Sequence, residues 1–407
     1  MKTAVKLLKG SESTMKKTVS IITLISLILG IFFGFYGGEL VGKIEFIGSS
    51  YITVLKYLIL PVIFTSISVS IYQSAGNRDF LVLRAVALFL GMFVVSFLLS
   101  SILVVLIDPA KGAEFLSSET AVNTLDIKIG DFFINLLPKD IAGLFTGKYL
   151  FFIIVLSYLC GLIAHHMKAE KVISVIIKVR DFCYRILNFL QYVTPLAVFS
   201  LIATAINRFG SDTIMAGLKY ILTAYICGIA VLIIVMILPL KIFCRLSLKD
   251  LFRKISPIWL ITLSTCSSAA TLPYTIKLCR EDLKIDPDIT DIVVPLGCTI
   301  HMCGGAVSFS LLGLFCARAF GVNITLGSYM YMLMIAVILN MSAPGIPSGG
   351  VVIGATYLEM MGLPLTFIGL YTGIYKILDM LYTTLNVTGD ISANVILDQM
   401  IKNKNER

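Results

Sequence analysis

Charge is the scarce ingredient of this chain. Only 14% of its 407 residues are Asp, Glu, Lys or Arg, against 57% hydrophobic, whereas a soluble domain carries about 25% charged and 45–50% apolar residues. That shortage excludes an ordinary soluble domain and leaves a polytopic membrane protein. The Lys and Arg give a net charge of +9, but they fall in short segments between apolar runs, so the excess reads as topology and not as a nucleic-acid surface. No Cys-x-x-Cys pair occurs among the nine cysteines, most of them inside apolar stretches. This argues against a disulfide framework and a zinc site. A small-residue cleavage site is also missing after the basic flank Lys16-Lys17, because the apolar run continues to about Tyr36. The N-terminus therefore reads as a first span and not as a signal peptide. These features predict a multi-pass protein of a bacterial inner membrane, with both termini cytoplasmic.

Apolar runs able to cross roughly 30 Å of hydrocarbon are predicted at 19–37, 48–73, 83–107, 149–166, 186–206, 216–242, 288–318 and from 365 onward. Between them, 108–148 is longer and mixed in charge, with an amphipathic part at 129–145 expected to lie at the interface. Two segments break the pattern. The centre of 255–277 is Thr262-Leu-Ser-Thr-Cys-Ser-Ser-Ala-Ala-Thr-Leu-Pro273, and that of 329–361 is Asn340-Met-Ser-Ala-Pro-Gly-Ile-Pro-Ser-Gly-Gly350. Hydroxyls, Pro and Gly at membrane depth survive only where protein or water satisfies the backbone, so each segment reads as two half-helices meeting at a polar tip. Loop charge places both ends of the first hairpin on the cytoplasmic side and both ends of the second outside. The fold class predicted is all-α: eight transmembrane helices plus two opposed re-entrant helical hairpins. The span at 288–318 is itself interrupted by Gly297-Cys-Thr-Ile-His-Met-Cys-Gly-Gly305.

The last span carries a polar stripe. Asp379, Thr383, Asn386 and Asp390 stand at i, i+4, i+7 and i+11, which returns them to one helix face, with Tyr382 and Lys376 at its edges. An ionised Asp at the bilayer centre costs about 2.5–3.5 kcal/mol on insertion scales, so this face must look into a protein-lined or hydrated interior.

Two interrupted segments beside such a stripe point to a transporter site. In Ser267-Ser-Ala-Ala-Thr-Leu-Pro273, in Gly345-Ile-Pro-Ser-Gly-Gly350, and in Ile377-Leu-Asp-Met through Thr383 to Asn386-Val-Thr-Gly-Asp390, the chain resembles the glutamate transporter family, the dicarboxylate/amino acid:cation symporters. The resemblance covers nearly the whole chain. It implies a homotrimer whose protomers each move substrate by an elevator motion. Residues 1–18 would be a cytoplasmic segment, 19–74 and 149–207 a trimerisation scaffold, and 80–107 with 216–400 the transport domain, including hairpins 255–277 and 329–361. Residues 401–407 would be a cytoplasmic tail.

Carried over position by position, the resemblance gives Asp379 the substrate amino group, with Thr383 and Asn386 as polar partners. It places Ser268, Gly305, Ile346 and Gly350 around the rest of the substrate. Asp390 with the main-chain carbonyls of Gly297, His301 and Asn386 would make one sodium site, and main-chain oxygens near Thr299, Asn340, Met341 and Ala343 a second.

The chain also departs from the family. Tyr382 stands where members carrying acidic amino acids have an arginine that pairs with the side-chain carboxylate, and Tyr375 and Cys266 replace residues that are acidic or basic in many members. A phenol supplies one hydrogen bond and no charge. The family motif Asn-Met-Asp-Gly-Thr is here His301-Met-Cys-Gly-Gly305, with Phe89, Met92 and Phe93 on the third span; these are poor ligands for a hard cation. His301 is a candidate proton site, or a neutral replacement for the amide.

The expected function is a secondary carrier of a small amino acid, acidic or neutral, with weakened or absent sodium coupling; sodium is the one candidate cofactor. The alternatives are a sodium- or proton-coupled dicarboxylate symporter and, in another class, an intramembrane aspartyl protease built on Asp379 and Asp390.

Overall fold

The structure, a computed structural model, describes residues 2–74, 79–113, 150–244, 246–341 and 349–405. The amphipathic segment 129–145 and the tip residues Ala343 and Ile346 lie outside them. Among the described residues the regular structure is all helical.

The first helices are α1 (Lys2–Tyr36), α2 (Glu39–Ser74), α3 (Asp79–Ile107), α4 (Leu150–His166) and α5 (Glu170–Phe209). Next come α6 (Asp212–Val231), which runs through a π-helical stretch into α7 (Leu238–Cys244), then α8 (Leu248–Thr265) and α9 (Ser268–Lys277). The chain ends with α10 (Pro287–Ile300), α11 (Cys303–Ala319), α12 (Leu326–Asn340), α13 (Gly349–Met360) and α14 (Ile368–Asn405).

Five stretches are long and apolar enough to cross a membrane, 39–69, 80–107, 170–209, 212–244 and 287–319, and shorter apolar helices cover 21–36, 155–166 and 326–340. Side chains such as Leu106, Val105 and Leu83 on α3 stay largely exposed, as lipid contact would have it. The chain is an integral membrane protein.

Two boundaries differ from the hydropathy reading. α1 starts at Lys2 and not near residue 19, and α5 starts at Glu170, well before the apolar stretch at 186–206. Hydropathy detects the apolar part of a helix, whereas Lys, Arg and Glu are themselves good helix formers and carry it onward.

α1, α2, α4 and α5 pack chiefly on one another, while α3 packs on α11 and α6. α14 lies among α5, α6, α8, α10 and α11. The stretch 287–319 has 89% of its apolar window buried, against 39–44% in the other four spanning stretches. It is thus an interior element, and its break at His301-Met302 sits inside protein.

That break has a visible cause. His301 and Met302 are extended (φ −109°, ψ 97° and φ −126°, ψ 81°). Beyond them, Gly304 lets α11 approach α14 so closely that a Cβ there would run into the backbone of Tyr382. The first hairpin turns at Cys266, whose left-handed backbone (φ 48°, ψ 40°) ends α8, and Ser267 caps α9 by accepting a hydrogen bond from the Ala270 amide at 3.2 Å. The break is narrower than the hydroxyl-rich run suggested, since Pro257 and Pro273 lie within the helices.

Candidate functional site

α14 is stitched to its neighbours along one polar face. Trp259 Nε1 on α8 donates to Thr388 Oγ1 at 2.9 Å, and Thr262 shares a 2.7 Å hydrogen bond with Thr384. Asn394 Nδ2 donates to Thr290 Oγ1 on α10 at 3.1 Å, and the Gly304 amide of α11 donates to Asn386 Oδ1 at 2.8 Å. These bonds hold the helix in a fixed rotation and turn its remaining polar groups inward.

Where α9, α11, α12, α13 and α14 converge, a cavity of about 60 Å³ opens. Asp379, Tyr382, Thr383 and Asn386 line it from α14, Cys266 and Ser268 from the first hairpin, Gly305 and Ser308 from α11, and Asn340 with Gly350 from the second interrupted segment. Ile346 lies outside the described residues, and Gly350 is held against the Tyr375 hydroxyl, leaving no room for a Cβ.

Asp379 is the cavity's one lining carboxylate, and no Lys or Arg lines it among the described residues. Asp379 is 6% exposed and lies 3.5 Å from Thr383 Oγ1. Lys376, one turn earlier, directs its ammonium to the Cys266 sulfur at 3.3 Å. Ser268, the first residue of α9, lines the cavity, so the positive end of that helix lies beside it, the polarity that favours a bound carboxylate.

Asp390 does not line this cavity. Its Oδ1 lies 2.9 Å from His301 Nδ1, and the other ring nitrogen, Nε2, lies 3.1 Å from the Cys303 sulfur. Phe89 stacks on the imidazole with centroids 4.5 Å apart and planes 13° from parallel. His301 and Asp390 are 1% and 2% exposed. A consistent assignment has Nδ1–H donating to the carboxylate and the thiol donating to Nε2.

Of the residues expected for the first sodium site, His301 and Asp390 meet in space, with the ring nitrogen Nδ1 against one carboxylate oxygen, Oδ1. Gly297 packs directly on the same oxygen, leaving no room for a Cβ. Thr299 Oγ1 donates to the Leu296 carbonyl at 2.7 Å, and Asn340 Nδ2 to the Ile300 carbonyl at 3.4 Å. Met341 follows α12, and Ala343 lies outside the described residues.

Cys303, His301 and Asp390 stand in the order of a nucleophile triad. All three are buried and none lines the cavity, so no carbonyl substrate reaches the sulfur from it.

Residues 19–400 match the model of the sodium:dicarboxylate symporter family. The chain is 24% identical to a C4-dicarboxylate transport protein of Bacillus subtilis, over 96% of this chain and 94% of that protein. It is 21% identical to the proton/glutamate-aspartate symporter of the same organism, over 95% and 96%. It is 23% identical to a proton/sodium-glutamate symport protein of Geobacillus stearothermophilus, over 94% of each.

Proposed function

The chain belongs to the sodium:dicarboxylate symporter family, a family of transporters and not enzymes, and we propose that this secondary carrier moves a small amino acid with weakened or absent sodium coupling. Membership removes the aspartyl protease reading. The observation that carries the proposal is that, among the described residues, Asp379 is the single lining carboxylate and no cation lines the cavity. A carboxylate repels a dianion and attracts an ammonium group.

In this reading Asp379 holds the substrate amino group, Thr383 and Asn386 complete its surroundings, and the α9 terminus at Ser268 receives the α-carboxylate. Gly305 and Gly350 form walls close to the ligand, as does Ile346 at the second tip. The relatives whose names specify glutamate and aspartate support an amino-bearing substrate. The relative named for C4-dicarboxylates keeps a dicarboxylate as the second reading.

In this reading sodium coupling is weakened because the His301 ring sits on one oxygen of Asp390, Oδ1, at 2.9 Å. The remaining carbonyls, at Thr299, Asn340, Met341 and Ala343, make a lesser candidate site. His301 would then serve as a neutral donor; a coupling proton on it is the variant of the same reading. The separate packing of α1, α2, α4 and α5 supports a scaffold of 19–74 and 149–207, against which 80–107 and 216–400 slide as an elevator in each protomer of a trimer. Eight spans, a bacterial inner membrane and cytoplasmic termini complete the proposal.

The test is uptake of labelled acidic and neutral amino acids and of succinate by purified protein in liposomes, with sodium present or replaced by choline. Uptake of an amino acid that persists in choline supports the reading. Uptake of succinate alone, or of amino acids only with sodium, contradicts it.

A further inference from the structure

α5 is 40 residues long, about 60 Å at 1.5 Å per residue, or roughly twice the 30 Å of hydrocarbon in a bilayer. Its first half is three-sided. Ile173, Ile176 and Cys183 are buried, and the two isoleucines pack with Val69 of α2 and Ala164 of α4. Val172, Val175, Val179, Phe182 and Phe189 form a second stripe that stays open, from 42% exposed at Val179 to 63% at Phe189. Lys171, Lys178 and Arg185 recur every seven residues as a third stripe, all exposed, about 70° around the helix from the apolar one.

No ion pair engages any of these three bases among the described residues. The acidic residues of the segment do not neutralise them. Asp181 is paired with Arg180 at 3.0 Å, and both it and Glu170 lie beyond the basic stripe, on the side away from the apolar one.

Neither simple placement suits this pattern. Along the bilayer normal, the segment would spread Lys171 and Arg185 over about 21 Å of depth and draw charge into hydrocarbon, which is costly. Projecting into water, it would expose a contiguous stripe of large apolar side chains. A helix slanted through the headgroup layer satisfies both stripes: valines and phenylalanines face acyl chains, while the long basic side chains reach the phosphates. Three unpaired bases in a row favour a lipid of net negative charge over a zwitterionic one.

We propose that this face of α5 binds anionic phospholipid, with Lys171, Lys178 and Arg185 holding headgroups and the stripe from Val172 to Phe189 holding acyl chains. Ile173 and Ile176, on the other side of the same turns, pack α5 to α2 and α4. The lipid therefore fixes the slant at which these three helices meet.

The test places a reporter in the apolar stripe. Phe182→Trp adds a second tryptophan to Trp259, the single one of the wild type, so the wild type serves as the blank. The full chain is reconstituted with brominated phosphatidylglycerol or brominated phosphatidylcholine, and quenching of the added tryptophan is read. Expected is a preference for phosphatidylglycerol of about fivefold or more in relative association, falling to about twofold or less in about 1 M salt. Adding Lys171→Gln, Lys178→Gln and Arg185→Gln should lower it to the same level without salt. Equal quenching by both lipids, or a preference that survives the triple substitution, overturns the proposal. Quenching by neither lipid also overturns it, and means that a second copy of the chain covers this face. Should the triple variant fail to fold, the salt dependence of Phe182→Trp alone decides.

Discussion

His301 and Asp390 form a closed pair: Nδ1 and Oδ1 are 2.9 Å apart, both side chains are buried, and Phe89 covers the ring. The pair joins the break between α10 and α11 to the polar face of α14. A tethered ring nitrogen thus does locally what a bound cation would do, which is to satisfy a carboxylate inside the protein.

Replacing His301 by Ala should expose this role. Removing the donor leaves a buried carboxylate oxygen unsatisfied, at a cost of about 1–3 kcal/mol or more, so thermal unfolding should shift down in choline buffer. Sodium should recover part of the loss in the variant and do nothing for wild type. An equal sodium response in both proteins would contradict the pairing argument.

Asp379→Asn should abolish amino-acid binding and leave the fold intact. Removing one charge from a buried ammonium–carboxylate contact costs about 2–5 kcal/mol, or roughly 30-fold and upward in affinity. Unfolding temperature and size-exclusion profile should match wild type. Wild-type uptake by the variant would refute the assigned role.

Gly350→Ala should narrow the cavity, because the new Cβ meets the Tyr375 hydroxyl. Substrate affinity should fall about tenfold or more, and adding Tyr375→Phe, which deletes the obstructing oxygen, should restore part of it. Strictly additive losses in the double variant would place the effect elsewhere.

Gly304→Ala tests the fold and not the chemistry. A Cβ at Gly304 collides with the backbone of Tyr382, which cannot move aside as a flexible side chain would. Overpacking of this kind costs typically about 1–3 kcal/mol or more. The expected result is a lowered unfolding temperature; an unchanged one would mean that α11 and α14 sit further apart.

Much of the helical plan was legible in the sequence, for identifiable reasons. The break at Cys266-Ser267 announces itself through hydroxyls at membrane depth, and the break at His301-Met302 through the flanking glycines. The spacing of Asp379, Thr383 and Asn386 predicts one face, and these three line one cavity, with Asp390 one turn further along. The pairing of His301 with Asp390 was not legible, because the partners are 89 residues apart and only the packing of α10 against α14 brings the ring to the carboxylate.

The most direct measurement is equilibrium binding of an amino acid to the purified protein, followed by the fluorescence of Trp259, the single tryptophan, whose Nε1 reaches Thr388 on α14. The titration is run in choline buffer and again in sodium buffer. Two coupled sites change each other's affinity by about 5–150-fold. The account predicts the same affinity in both buffers, within about twofold. A tightening by sodium of about tenfold or more would contradict it and restore a functional cation site.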